Sequence, residues 1–205
     1  MMPLVRKAVI AVFLIESLSN PVLGSQMTSP TMRDEVRKLY NTNVKVRNEA
    51  ALRLKTAGEP ARPLLTKVIC NRSATHFDIA WPNAARILGE LKAASAVPCL
   101  VDLLMYAYPS IGPVIMKSDQ TLASVDPAFA ALVAIGDPAV PELRRRLPFV
   151  SLASSVMMLR VLQAIHTPPA REAVQNYIET LNIQTQMANQ ILRNFGSGGT
   201  GTQGQ

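Results

Sequence analysis

Arg144, Arg145 and Arg146 stand in a row, the one run of charge in the chain. Three adjacent guanidinium groups can hold carboxylates or phosphates. They also suit a solvated helix end, where cations favour the dipole. Cys70 and Cys99 are the two cysteines, and His76 and His166 the two histidines. Two histidines in separate segments, with no carboxylate cluster beside either, leave little for a metal site. His76 reads as a surface or loop-capping residue, and His166, beside Pro168 and Pro169, as a helix C-terminal residue. Met105, Met116, Met157, Met158 and Met187 could bind a soft metal. They lack tight clustering and read as core filling. No nucleophile elbow, zincin, phosphate-loop, dinucleotide or CxxC motif occurs, so the sequence predicts no enzyme, no catalytic residue and no cofactor.

The elements that would position these residues follow from composition. The 205 residues are 48 % apolar but only 5 % aromatic and 17 % charged. That excludes wholesale disorder and favours closely packed helices over a β-sandwich. Lys and Arg outnumber Asp and Glu by 21 to 14, a formal +7. Without aromatic residues between the cations, this points to no nucleic-acid partner.

The N-terminus reads as an address. Arg6 and Lys7 precede an apolar run at 8–15 (AVIAVFLI), and small residues surround a plausible cut between Gly24 and Ser25. This is the pattern of a secretory signal peptide, residues 1–24. An uncleaved anchor and a buried helix are the alternatives. The run falls short of a bilayer span, so no stable membrane span is expected after cleavage. A periplasmic or secreted location follows. Residues 196–205 (GSGGTGTQGQ) read as a disordered Gly-rich tail.

Between these ends the chain repeats itself. Residues 46–69, 84–104, 128–147 and 159–178 align. GEPARPLL at 58–65 and GDPAVPEL at 136–143 are almost the same phrase. Leu54, Leu88, Leu132 and Leu162 fix the register before the loop, and Leu65, Leu100, Leu143 and Val174 after it. An Ala- and Leu-rich helix ends at a glycine, which supplies a left-handed C-cap in units one and three. An acidic residue and a proline then open the next helix. The apolar pairs Leu65 and Ile69, Leu100 and Leu104, Leu143 and Leu147, Val174 and Ile178 are each i, i+4, on one face. Each unit is therefore an antiparallel helix pair that needs neighbours to bury its face.

This pattern resembles the HEAT-repeat family, in particular the short bacterial HEAT-like repeats of phycobilisome-lyase-type proteins. Residues 88–104 (LGELKAASAVPCLVDLL) and 135–147 (IGDPAVPELRRRL) carry it best, and Val46-Arg47 followed by Ala50-Ala51 matches a repeat start. Three departures stand out. The anchor leucines are 34, 44 and 30 residues apart, and Arg47 is matched by Trp81, Val125 and Ser155. His166-Thr167 replaces the fourth glycine. The resemblance implies an all-α, right-handed α-solenoid of about four helix pairs over residues 43–182. A capping helix is expected within 25–42, with Thr31 and Asp34 as a capping box. A second is expected at 183–195, with Met187, Ile191 and Leu192 inward. Residues 107–125 form an insertion, a loop with one short helix.

Two expectations follow from the register. Cys99 aligns with Leu64, six positions before Cys70. Six residues along a helix is ~9 Å and neighbouring helices are ~8–10 Å apart. The Cα atoms should then be roughly 13 Å apart, beyond the ~7 Å limit of a disulfide. Two unpaired, largely buried thiols are expected. Second, the positions one and two after the Leu65-type anchor, and three before it, should face away from the core. In this family's fold the second helices line the concave surface. The stripe then carries Arg62, Lys67, Arg144, Arg145 and Arg171 against one anion, Asp102. The function expected is a non-catalytic scaffold that recognises an acidic protein or peptide partner through these five residues. The alternatives are an accessory enzyme of the chromophore-lyase type and a self-associating envelope module.

Overall fold

The computed structural model describes residues 29–104 and 118–197. The expected signal peptide, most of the expected Gly-rich tail, Met105, and Met116 of the expected insertion lie outside them. The described residues form ten α-helices joined by turns and short 3-10 segments, with no strand among them. They are α1 (Ser29–Lys38), α2 (Val44–Ala57), α3 (Arg62–Cys70), α4 (Phe77–Glu90), α5 (Val97–Leu103), α6 (Asp119–Val125), α7 (Pro127–Ile135), α8 (Val140–Arg146), α9 (Leu152–Ile165) and α10 (Pro168–Ser197).

Local chemistry sets the turns. Gly58 and Gly136 end α2 and α7 with φ of 70° and 78°. Their ψ values, −134° and −138°, lie outside the left-handed helical region and in one that only glycine adopts freely. A 3-10 turn follows each, Glu59–Ala61 and Asp137–Ala139, with proline near its start and a fully buried alanine at its end. The other two units reach positive φ without glycine, through Lys92 (53°) and His166 (56°). His166 is the C-cap of α9, and its N–H bonds back to the Leu162 carbonyl. Four N-caps are side-chain acceptors: Asn43, Ser118, Asp126 and Ser151 each accept from a backbone N–H of the first turn. Helix α1 starts at Ser29, two residues before Thr31, and Asp34 pairs with Arg37 at 2.9 Å.

The anchor leucines Leu54, Leu65, Leu88, Leu100, Leu132, Leu143 and Leu162 are all buried. So are Ile69, Leu104, Leu147, Met157 and Met158, whereas Met187 is exposed. The fourth apolar pair departs from the others: Val174 is half-buried and Ile178 half-exposed. Neighbours fall into two series. Helices α2, α4, α7 and α9 pack in succession, as do α3, α5, α8 and α10. Between the series, α3 packs on α4, α5 on α7 and α8 on α9. The turns join across units as well. Arg62 donates to the Leu91 carbonyl, Lys92 Nζ to the Ala134 carbonyl, and Thr167 Oγ1 to Asp137.

Cys70 and Cys99 form a disulfide, with Cα atoms 5.3 Å apart. The expectation of two separate buried thiols is overturned: Cys70 is exposed and Cys99 half-buried. Repeat alignment identifies which residues face the core. It does not fix how far one helix slides along its neighbour. Here the end of α3 meets the start of α5, and the Arg72–Asp102 pair (3.7 Å) shows the same offset. The slide is local, because Arg146 on α8 reaches Asp102 on α5 almost at its aligned position, 103.

Helix α10 runs unbroken through 183–195, where sequence reading places a separate capping helix, and it takes in two residues of the expected tail. Residues 181–191 are exposed.

Candidate binding surface

The five cations chosen from sequence divide into three groups. Arg62 opens α3, and its side chain is only 29 % exposed. Its guanidinium is held by the Leu91 carbonyl and by Glu59 at 2.9 Å. It is therefore a tie between turns rather than a free cation. Lys67 is exposed farther along α3. Arg144 and Arg145 lie on α8 and face α10. Arg171, on α10, is exposed.

The expected facing is partly wrong, for a geometric reason. Val97 and Val140, three before the anchors, are buried, and so is Val101, one after. Residues three apart on a helix share a face, so the position before the anchor belongs with the core. The position two after the anchor does point outward: Lys67, Asp102 and Arg145 are exposed, and Asn176 is half-buried.

Arg144 and Arg145 line an open groove of about 660 Å³ together with Asp137, Val140, Pro141, Pro169 and Glu172. Glu142, on the same helix, is half-buried. Arg145 donates to both its carboxylate oxygens, at 2.9 and 2.7 Å, and Arg146 Nε donates at 2.6 Å. The Arg145 hydrogen bonds, against the opposing cost of desolvation, bring the Glu142 pKa down to about 2. Arg146 also binds Asp102 and the Pro98 carbonyl on α5. The third arginine of the run is thus a structural clamp between units. Arg144 differs: its nearest acid, Glu172, is 3.8 Å away, and both side chains are more than half exposed. Such a pair is worth little and exchanges readily. Sequence reasoning missed Glu142 and Glu172, and it singled out Arg146 within the run without its role as a clamp. The i, i+3 and i, i+4 spacing of Glu142 to Arg145 and Arg146 was a usable signal.

A second groove, of about 380 Å³, lies between α9 and α10. It is mainly apolar, lined by Leu159, Leu162, Val174, Tyr177, Ile178 and Leu181, with His166 and Arg171 also contributing.

Among the described residues no group of three His, Cys, Asp or Glu side chains could hold a metal ion. No helix among them is long and apolar enough to cross a membrane. The chain matches no protein-family model, and no curated protein or solved structure is similar to it.

Proposed function

We propose that the chain is a right-handed α-solenoid of about four HEAT-like helix pairs, exported to the periplasm or beyond, that serves as a non-catalytic scaffold for an acidic protein or peptide. The two series of packed helices and the turn-to-turn ties support the solenoid arrangement. A disulfide suits an oxidising compartment and so supports export. The observation that carries the binding reading is the α8–α10 groove, where Arg144 and Arg145 stand exposed beside a weakly held acid. An incoming carboxylate displaces Glu172 from Arg144 at small cost. Arg171 and Lys67 extend the cationic surface beyond the groove, while Arg62 contributes mainly to the fold.

The test uses a labelled peptide rich in Asp and Glu, titrated at low and moderate salt. Arg144→Glu with Arg145→Glu should weaken binding and flatten its salt dependence. Unchanged affinity and slope would remove the acidic-partner reading. The N-terminal mass of the chain isolated from native cells tests export separately: a start at Ser25 supports it, and a start at Met1 opposes it.

A further inference from the structure

The long last helix carries an apolar seam that outruns the body. Ala170, Val174, Tyr177, Leu181, Gln184, Ala188 and Ile191 recur at alternating steps of three and four, the spacing of a coiled-coil stripe. The first part is covered: Ala170 is buried, and Val174 and Tyr177 pack against the core beside Leu159. The second part is bare. Leu181 is 41 % exposed, Met187 59 % and Ile191 52 %. Ile178, at the flank, is 51 % exposed. An exposed helical stretch of this length is marginal in water without a partner.

Charge identifies the partner. Residues 180–192 contain no ionisable side chain, and neither do the positions flanking the seam from Ala173 to Met187. Those flanking positions normally encode partner choice through charge. An acidic or basic partner helix finds nothing complementary here. A second copy of this +7 chain meets no like charge along the stripe. We propose that α10 pairs antiparallel with α10 of a second copy, and that the exposed stretch of each α10, residues 181–191, fills the α9–α10 groove of the other.

The register closes on itself. With the two-fold axis between Asn182 and Ile183, Val174 meets Ile191 of the second copy, Tyr177 meets Ala188 and Leu181 meets Gln184. Every layer then joins one seam position of each kind, as antiparallel pairs require. Bulky Tyr177 lies opposite small Ala188. Gln184 sits near the axis, where a polar group fixes register at some cost in stability. Ile191 enters the groove formed by Leu159, Leu162 and Val174. Covering the half-bare residues on both copies removes on the order of 1,000 Å² from water, the lower edge for a specific interface. The dimer is therefore concentration-dependent. This pairing does not rest on the acidic-partner reading and leaves Arg144 and Arg145 outside the contact.

Sedimentation equilibrium of the full chain tests it. The weight-average mass should climb toward twice the monomer as concentration rises, and Leu181→Glu should hold it at the monomer. Leu181 lies on the exposed half, so the melting temperature of dilute Leu181→Glu protein should match the parent. A mass that stays monomeric at the highest soluble concentration overturns the proposal, as does an unchanged dimer in Leu181→Glu. The register has its own test. Val174→Cys combined with Ile191→Cys should give an oxidised dimer linked 174 to 191. Ile191→Cys alone should not, because two copies of that position stand about 25 Å apart along the pair. A cross-link by Ile191→Cys alone overturns the antiparallel register.

Discussion

The α-carbon of Ala131 lies 2.7 Å from the point where a β-carbon on Gly89 would stand. Gly89 is a buried residue within α4, and Ala131 belongs to α7, its most extensive neighbour. Two small residues let the backbones of neighbouring units nearly touch. Gly89→Ala gains up to about 1 kcal/mol of helix propensity. It also forces backbone away from backbone, and such overpacking costs about 1–3 kcal/mol. The clash is against main chain, so the cost wins. Chemical denaturation should show a net loss of stability. A gain would mean that the helices separate without penalty.

Thiol chemistry checks the staple between α3 and α5. Unfolded, unreduced protein should show no titratable thiol, since neither cysteine is free. Replacing both by serine should cost about 3.6 kcal/mol, the chain-entropy value for a loop closed across a sequence separation of 29. Two reactive thiols per unreduced chain would return the cysteines to the separate state expected from the repeat register.

Glu142 makes the α8 region acid-sensitive. Its folded pKa of about 2 lies below the ordinary 4.5, so its contribution is complete above pH 4.5. The contribution is lost as pH falls from 4.5 through about 2. Melting temperature should drop over that window, and Glu142→Gln should flatten the drop. An identical acid limb in Glu142→Gln would show that Arg145 and Arg146 contribute nothing through this carboxylate.

Asp126 separates a cap from a charge. Its Oδ1 accepts from the Ala128 and Phe129 N–H groups at 2.9 and 3.1 Å, while Oδ2 is buried without a hydrogen-bond partner among the described residues. Burial pushes its pKa up. The charged form therefore costs stability as pH rises above the ordinary carboxylate range. Asp126→Ala should lose about 1–2 kcal/mol with the cap. Asp126→Asn keeps the acceptor, removes the charge, and should retain most of that stability at neutral pH. Equal losses in both variants would show that the cap bonds are not what Asp126 supplies.

What the sequence made legible was local. Gly58 and Gly136, each followed by acid, proline and alanine, define their turns within four residues, and the anchor leucines declare the buried face through spacing alone. What it hid was relative. No periodicity within α3 or α5 tells how far one slides past the other, so Cys70 and Cys99 seemed too distant to bond. The binding stripe suffered from a face assignment at Val97 and Val140 and from acids contributed by other segments, such as Asp102 to Arg146. The unbroken α10 was readable: no Gly or Pro stands between Pro169 and Gly196.

The disulfide closes a covalent ring that runs from Cys70 around the whole of α4 to Cys99. A protease that nicks the chain anywhere within that ring does not divide it. Both fragments stay tethered at the junction of α3 and α5, held in place to face each other again. Damage there is topologically silent, and it becomes a true break only when a reductant opens the ring.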